Sequence, residues 1–398
     1  KMAQKNFFVG KGPSLHILVT TLRCNHACQY CHASVVNDTA TEYDMSIDTA
    51  KKVVDTIFYS NSTNLTIEFQ WGESLLNFPV IEFVVSYAKQ KAYHLKKQLS
   101  LVIVTNLTLL SDAMLDYFLQ EGVDICTSLD GDEKLHNYNR SYTGNSFEEV
   151  TTNIRKINNK YQELWQNRKM GCLLTTTRFT LSRHKEIVDT YLSLGLDSIY
   201  IRPLNPYGFA SKKLDLLWYS YHDFLEFYEK AFDYILEINK SGTFFKEGYA
   251  SIFLTKILTE TDPNFLDSRS PCGACIGQLA YNYDGKVYTC DEGRMFARMG
   301  DDIFGLIQLS DDGEKNYRDI MASDTTKCMV QASTLDWLPW YNDHVYKPYL
   351  WACPIYSYKS SGNIHSNFSK DNRTRLDIAI YFSRNSKILR IKKYFILG

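Results

Sequence analysis

Short β-prone runs alternate with amphipathic helical patterns through the first half of the chain, and this alternation restricts the possible folds most strongly. The candidate strands are residues 14–21, 64–70, 99–105, 123–128, 170–177 and 197–202. Helix signals lie between them, including a capping box at Ser146 and Glu149. Strands connected through helices pair in parallel by right-handed crossovers. We therefore expect an α/β fold with six parallel strands, two fewer than a closed eight-stranded barrel.

Composition and charge favour an enzyme that works inside the cell. At 398 residues and 44% hydrophobic side chains, the chain is long enough for one barrel-sized domain and a smaller one. A net charge of −1 gives no electrostatic reason to expect nucleic acid or an acidic membrane as a partner. The sequence has no run of about 18 apolar residues and no apolar signal-peptide core near its start. We therefore expect a cytoplasmic protein without a membrane span.

Three cysteines follow the first candidate strand: Cys24, Cys28 and Cys31 in TLRCNHACQYCHAS. Cysteine thiolates hold iron–sulfur clusters, and three of them leave one iron of a [4Fe–4S] cluster open to a substrate or cofactor, as in catalytic zinc sites. The working residues of α/β barrels lie at the C-terminal ends of strands, where this loop lies. Zinc is the alternative occupant, but it needs a fourth ligand, and the next close pair, Cys272 and Cys275, is far downstream.

With Tyr30 just before the last cysteine, the pattern Cys-x3-Cys-x2-Cys resembles the signature of the radical SAM superfamily. The resemblance implies a [4Fe–4S] cluster whose open iron chelates S-adenosylmethionine (SAM). It also implies reductive cleavage of SAM to a 5′-deoxyadenosyl radical, which abstracts a substrate hydrogen. The fold it implies is a partial (β/α)6 barrel, which the count of candidate strands reaches independently.

The second strand leads into Gln70-Trp71-Gly72-Glu73, which resembles the Gly-Gly-Glu loop that binds the methionine ammonium in this family. Trp71 stands where the family has its first glycine. If that position needs a positive φ, a side chain there costs about 1 kcal/mol or more. A loop acid without a ligand is the alternative interpretation of Glu73.

The next strand ends resemble further parts of the SAM site. Thr-Asn-Leu at 105–107 resembles a Thr-Asn-Gly turn, with Leu107 in place of the glycine. Ser128 and Asp130, in Ser-Leu-Asp-Gly, resemble residues that contact the SAM methionine and ribose, although an ordinary Asp-Gly turn is the alternative. Arg202 and Leu204 match residues that flank the adenine. The SAM-binding residues implied by the resemblance are Tyr30, Gln70, Gly72, Glu73, Asn106, Ser128, Asp130, Arg202 and Leu204.

The segment PCGACIGQLAYNYDGKVYTCDEGRM resembles the opening of a SPASM extension, which delivers cysteines to an auxiliary [4Fe–4S] cluster on a β-hairpin. Asp284-Gly285 between two β-prone runs predicts that hairpin. Asp291, directly after Cys290, matches a Cys-Asp step that implies a catalytic carboxylate beside the substrate, which could act as a general base. A solvated acid at the hairpin end is the alternative.

The last part departs from the family pattern. The frame for a second auxiliary cluster reads Tyr341, His344, Leu350 and Cys353, so only one cysteine is left and we expect no second cluster of that kind. One four-cysteine cluster is still expected, with Cys328 as its fourth ligand or as a leftover thiol, and four cysteines also suit zinc. The candidate ligands in this half are Cys272, Cys275, Cys290, Cys328 and Cys353.

Over nearly the whole chain the sequence resembles the radical SAM maturase of the His-Xaa-Ser peptide system. This implies a ribosomally made peptide substrate, companion maturation proteins and an electron donor. The expected division is a partial barrel at 1–213, a helical connector at 214–265 and a SPASM-like domain at 266–398. Two other functions stay open: a degenerate relative that binds peptides without cleaving SAM, favoured by Trp71 and Leu107, and a zinc-stabilised binding module.

Overall fold

The computed structural model describes residues 10–166, 168–259, 261–342, 344–366, 378 and 380–382. The expected domain limits at residues 1 and 398 therefore lie outside the described residues. The strands are β1 Leu15–Leu18, β2 Ala27–Cys28, β3 Asn64–Phe69, β4 Gln98–Val104, β5 Val123–Ser128, β6 Arg140–Ser141, β7 Gly171–Thr175, β8 Ser198–Arg202, β9 Lys246–Glu247, β10 Gln278–Tyr281, β11 Lys286–Tyr288 and β12 Gly305–Gln308.

The helices alternate with these strands in the first half of the chain. They are α1 Ile47–Ile57, α2 Phe78–Leu95, α3 Asp112–Glu121, α4 Glu133–Asn139, α5 Ser146–Glu163, α6 His184–Ser193, α7 Gly208–Ser211, α8 Leu214–Leu217, α9 Tyr221–Lys240, α10 Gly248–Leu258, α11 Asp291–Ala297, α12 Gly313–Ala322, α13 Asp324–Ser333, α14 Pro339–Asn342 and α15 Pro354–Ser361. None of the described helices is long and apolar enough to cross a membrane.

The six predicted strands are β1, β3, β4, β5, β7 and β8, and they pair in parallel in that order. The predicted α/β fold is therefore confirmed. Crossover helices cover the sheet with their apolar faces. In α1, for example, Ser46 caps the first turn by accepting a hydrogen bond from Thr49 N, and Val53, Val54 and Ile57 are buried.

The downstream hairpin extends this sheet on the side of β1. Strand β10 pairs in parallel with β1, and β11 pairs antiparallel with β10. Gly285 in the predicted turn has φ +83°, a conformation that favours glycine. The short helix α11 begins directly after the hairpin, at Asp291. Because β11 runs back against β10, α11 begins near the N-terminal end of β1 and runs toward the cysteine loop, and Arg298 at its C-terminal end donates a hydrogen bond to the Ser34 carbonyl at 3.4 Å.

Candidate functional site

The cysteine loop forms one wall of a cavity of about 120 Å³ at the C-terminal ends of the parallel strands, and Cys24, Cys28 and Cys31 all line it. The short pair of β2 with β6 holds the loop in place through Cys28 and Arg140. Burial raises the pKa of all three thiols, that of Cys28 to about 12. These half-buried thiols resist ionisation on their own, and a bound iron cluster would reverse this preference, because its cationic iron stabilises the thiolates.

Asp130 anchors the cysteine loop to the end of β5. Its side chain is fully buried and accepts hydrogen bonds from the Tyr30 hydroxyl at 2.7 Å and from Arg140 Nε at 3.1 Å. The Thr175 amide donates to the second carboxylate oxygen at 3.3 Å. The Arg140 guanidinium also lies 5.4 Å from the centre of the Tyr30 ring. Among the described residues Asp130 does not line this cavity, and its expected contact with the SAM ribose stays a prediction.

Glu73 likewise points into the protein and not into the cavity. It is fully buried, and its carboxylate accepts hydrogen bonds from Thr105 Oγ1 at 2.7 Å, Asn106 N at 2.8 Å and Leu75 N at 3.2 Å. All three donors belong to the chain itself, so the carboxylate is occupied without a ligand. Glu73 therefore holds the turn after β4, and its expected contact with the methionine ammonium stays a prediction.

Two positions at which the family has glycine carry other residues in this chain, and both keep a left-handed backbone. Trp71 has φ +77° and Leu107 has φ +63°. Gly72, between Trp71 and Glu73, has φ +61°, and a Cβ there would lie 2.5 Å from the Thr21 carbonyl oxygen. The loop therefore packs directly on the cysteine loop, as a Gly-Gly-Glu loop would. The substitutions change the side chains of these loops but not the sign of φ.

The indole of Trp71 lies between the cysteine loop and the downstream half of the chain. Its ring centroid is 6.1 Å from that of His32, in an edge-on arrangement. On the other side, the Arg294 guanidinium lies 5.6 Å from the centre of the ring. Trp71 thus connects the predicted SAM loop to α11.

The remaining predicted SAM residues divide between two cavities. Gln70, Gly72, Asn106, Ser128 and Arg202 line the first cavity beside the cysteines, as does Tyr30. Leu204 lines a second, larger cavity of about 450 Å³ instead. The two cavities share wall residues, and these are Gln70, Leu173 and Arg202.

The second cavity has acidic and aromatic walls. Its carboxylates come from Glu68, Asp267, Asp291 and Glu292, while Arg202 contributes a positive charge. Burial and the neighbouring Asp291 raise the pKa of Glu68 to about 7. Burial also raises the pKa of Asp291, although Arg294 Nε donates to its carboxylate at 3.3 Å and favours the charged form. Asp291 is therefore a buried cavity-wall acid, in contrast to the alternative of a solvated hairpin end.

Three downstream cysteines meet at this second cavity: Cys272, Cys290 and Cys353 line it. Cys275, with φ +64°, packs with them in one apolar cluster. Electrostatic repulsion from Cys353 and Cys272 adds to burial in raising the pKa of Cys290. These four cysteines form a compact set in which Cys353 completes the group.

Cys328 is not part of this set. It lies on the exposed side of α13, whereas Thr326 and Met329 of the same helix are buried. Its exposure favours the leftover-thiol alternative over the role of fourth ligand, and the ligand set itself stays a prediction. Tyr341 and Leu350 of the expected second frame pack in a separate apolar cluster, and His344 Nδ1 accepts a hydrogen bond from Tyr346 N at 3.2 Å.

The first cavity also contains two buried histidines that the sequence analysis did not select. His26 is 4% exposed and His32 is 5% exposed, and both line the cavity. Within the described part of the chain, neither nitrogen of the His26 ring has a hydrogen-bond partner, and His32 Nε2 has none either. The motif itself carried a signal, because both histidines lie within CNHACQYCH.

The chemistry of the donors in this cavity fits an iron–sulfur cluster, because three cysteine thiols line it and cysteine thiolates are the usual cluster ligands. Among the described residues, no group of three His, Cys, Asp or Glu side chains is arranged to hold a single metal ion.

A family model described as the radical SAM superfamily matches residues 18–167, which include the cysteine loop and strands β2 to β6. This region is a radical SAM domain. The domain implies a [4Fe–4S] cluster and SAM as its cofactors, which agrees with the cofactors expected from the sequence. The cysteine loop, the Gln70 loop, Asn106 and Ser128 all lie inside the matched region.

Curated relatives are similar over much of the chain. A cysteine-type anaerobic sulfatase-maturating enzyme from Clostridium novyi is 24% identical over 343 residues, which cover 81% of this chain and 83% of that enzyme. The radical SAM cyclopropyl synthase TigE from Paramaledivibacter caminithermalis is 23% identical over 305 residues, 73% of this chain and 60% of the synthase. An uncharacterised protein from Methanocaldococcus jannaschii is 28% identical over 190 residues, 48% of this chain and 62% of that protein. The chain thus spans less than two thirds of the length of the last two.

A solved structure with the same fold is that of anSMEcpe with bound AdoMet and Cp18Cys peptide. It has a TM-score of 0.72 at 15% identity and covers 95% of this chain and 99% of that one. The likeness extends beyond residues 18–167, so it includes the downstream half that carries Asp291 and the second set of cysteines.

Proposed function

We propose that the chain is a radical SAM peptide maturase, which uses SAM to abstract a hydrogen atom from a ribosomally made peptide. The observation that carries this proposal is the shared wall of the two cavities. Gln70, Leu173 and Arg202 line both, so a reactive group formed beside the cysteine loop faces a second cavity large enough for a substrate side chain.

The choice of a peptide substrate rests on the relatives and on the second cavity. The Clostridium novyi relative is a sulfatase-maturating enzyme, and the similar solved chain, anSMEcpe, binds a Cp18Cys peptide. The second cavity of about 450 Å³ lies within the size range of small-ligand sites and could bury one or two side chains of a longer peptide. A His-Xaa-Ser repeat peptide is our candidate, with companion maturation proteins and an external electron donor, on the basis of the sequence resemblance.

The residues of the first cavity would bind and orient the cofactors. Cys24, Cys28 and Cys31 would hold the catalytic cluster, and Gln70, Asn106 and Ser128 would contact SAM. When bound, the reduced cluster and SAM supply a 5′-deoxyadenosyl radical. The chain contributes position and exclusion of water. In this assignment Asp130 and Glu73 are positioning residues, since each holds a loop of the site and neither lines the cavity.

In the second cavity Asp291 is the group placed to take a proton from the substrate. It is 7% exposed, lines the cavity and has a raised pKa, which makes its carboxylate a stronger base than a solvated aspartate. Arg294 fixes its orientation through the Nε hydrogen bond. Cys272, Cys275, Cys290 and Cys353 would hold one auxiliary [4Fe–4S] cluster beside it.

The deciding experiment is anaerobic reconstitution with iron and sulfide, followed by reduction in the presence of SAM and detection of 5′-deoxyadenosine by mass spectrometry. The control carries Cys24→Ala, Cys28→Ala and Cys31→Ala together. Product above this control supports SAM cleavage. A protein that holds its cluster and yields no product would refute the proposal and favour the degenerate peptide-binding alternative.

A further inference from the structure

The ring of His26 occupies an unusual position inside the cysteine loop. It is 4% exposed, and it lies two residues after Cys24 and two before Cys28. Its ring packs against the Tyr142 ring with centroids 4.7 Å apart and planes inclined by 48°, which restrains the orientation of the imidazole. The same ring lines the cavity that the three cysteines line.

Both nitrogens of this ring lack a hydrogen-bond partner within the described residues. In every protonation state an imidazole carries at least one N–H donor, and buried donors in folded proteins are almost always satisfied. Since the neighbouring protein groups do not satisfy it, the missing acceptor has to be what fills the cavity. Cys24 and Cys28 on either side make the sulfur atoms of a cluster the nearest acceptors that such an occupant would present.

We infer that His26 donates a ring N–H hydrogen bond to a sulfur of the catalytic cluster and thereby raises the reduction potential of that cluster. A hydrogen bond to a cluster sulfur stabilises the more negative, reduced state, and hydrogen bonds to sulfur are among the factors that set cluster potentials. His26 is a positioning and tuning residue in this assignment. The inference rests on the cluster that the radical SAM domain implies and does not depend on the peptide substrate.

The test measures the midpoint potential of the cluster by an EPR-monitored redox titration without SAM, at matched iron content. His26→Phe keeps an aromatic ring against Tyr142 but removes the donor, so we expect a shift to a lower potential. His26→Gln and His26→Asn each keep an N–H, at the reach of Nε2 and Nδ1 respectively, and the one that restores the potential identifies the donor nitrogen. Tyr142→Phe keeps the aromatic ring that packs against His26 and is expected to leave the potential unchanged.

A second readout examines the bond itself. After exchange into deuterated buffer, the reduced wild-type cluster should show an ENDOR coupling from one exchangeable deuteron that His26→Phe lacks. An unchanged potential in His26→Phe, or persistence of that coupling, would overturn the inference, because another donor such as water would then satisfy the cluster. If His26→Phe does not load iron, His26→Leu takes its place and is judged by the same criteria. Neither readout requires SAM cleavage, so failure of the proposed function leaves this test intact.

Discussion

Replacement of Asp130 by asparagine separates two roles for this residue. The sequence resemblance places Asp130 at the SAM ribose, whereas the structure places it between Tyr30 and Arg140, behind the cavity wall. Asp130→Asn keeps the size of the side chain and removes its charge. The Arg140 side chain is 9% exposed, so its guanidinium would lose its buried counter-ion.

The expected cost follows from these contacts. Removal of one partner of a buried ion pair costs about 3–5 kcal/mol, and the Tyr30 hydroxyl and Thr175 amide also lose charged acceptors. We therefore expect the free energy of unfolding of the metal-free protein to fall by about 3 kcal/mol or more, a large share of the roughly 5–15 kcal/mol typical of folded proteins. Cluster loading should fall as well, because Tyr30 belongs to the cysteine loop.

The assay is urea unfolding under anaerobic, reducing conditions, combined with SAM binding by equilibrium dialysis to the reconstituted protein. Ser128→Ala is the matched control, since Ser128 lies on the same strand end and lines the cavity. It should change stability by no more than about 0.5 kcal/mol and weaken SAM binding. If Asp130→Asn is as stable as wild type and loses only SAM binding, Asp130 contacts SAM directly and the anchoring argument is wrong.

Three further predictions concern other parts of the site. Trp71→Gly should relieve about 1–2 kcal/mol of backbone strain but lose the contacts to Arg294. Unfolding experiments should therefore show little net change in stability. An increase in SAM cleavage in the 5′-deoxyadenosine assay would show that the indole limits the pocket. Burial raises the pKa of Glu68 to about 7 from an ordinary value of 4.5. The folded state therefore holds a proton that the unfolded state releases, and the free energy of unfolding should fall as the pH rises from 5 to 8. Glu68→Gln should weaken this pH dependence in urea titrations. Cys353→Ser should lower the iron and sulfide content of the purified protein while Cys328→Ser leaves both unchanged, and equal losses would contradict the ligand set read from the structure.

The architecture was largely predictable because each element carries its own signals. The strand predicted at 123–128 matches β5 residue for residue, and the hairpin at Asp284-Gly285 forms with Gly285 in the expected conformation. Periodicity and turn chemistry act over a few residues, so a single sequence reveals them. The position of the cysteine loop at a strand end followed from the same local reasoning.

The roles of single side chains were less predictable, because they depend on distant partners. The Glu73 carboxylate accepts hydrogen bonds from Thr105 and Asn106, more than thirty residues further along the chain. The residues next to Glu73 in the sequence do not predict these contacts. The exposure of Cys328 was predictable from its helix. Thr326, Met329 and Ser333 form the buried stripe of α13, and a residue just before Met329 falls outside that stripe.

The backbone conformation at Trp71 and Leu107, where the family has glycine, favours a working SAM loop. A left-handed conformation costs a non-glycine residue roughly 1–2 kcal/mol, and such strain persists only where the surrounding structure enforces it. At Leu107 the enforcing contacts are hydrogen bonds from its own N–H to Thr105 Oγ1 at 3.0 Å and from Asn153 Nδ2 to its carbonyl at 3.0 Å. At Trp71 the neighbouring Gly72 packs on the Thr21 carbonyl. A chain that no longer used these loops would gain stability by relaxing them, so the retained strain favours an active enzyme over a degenerate binding partner.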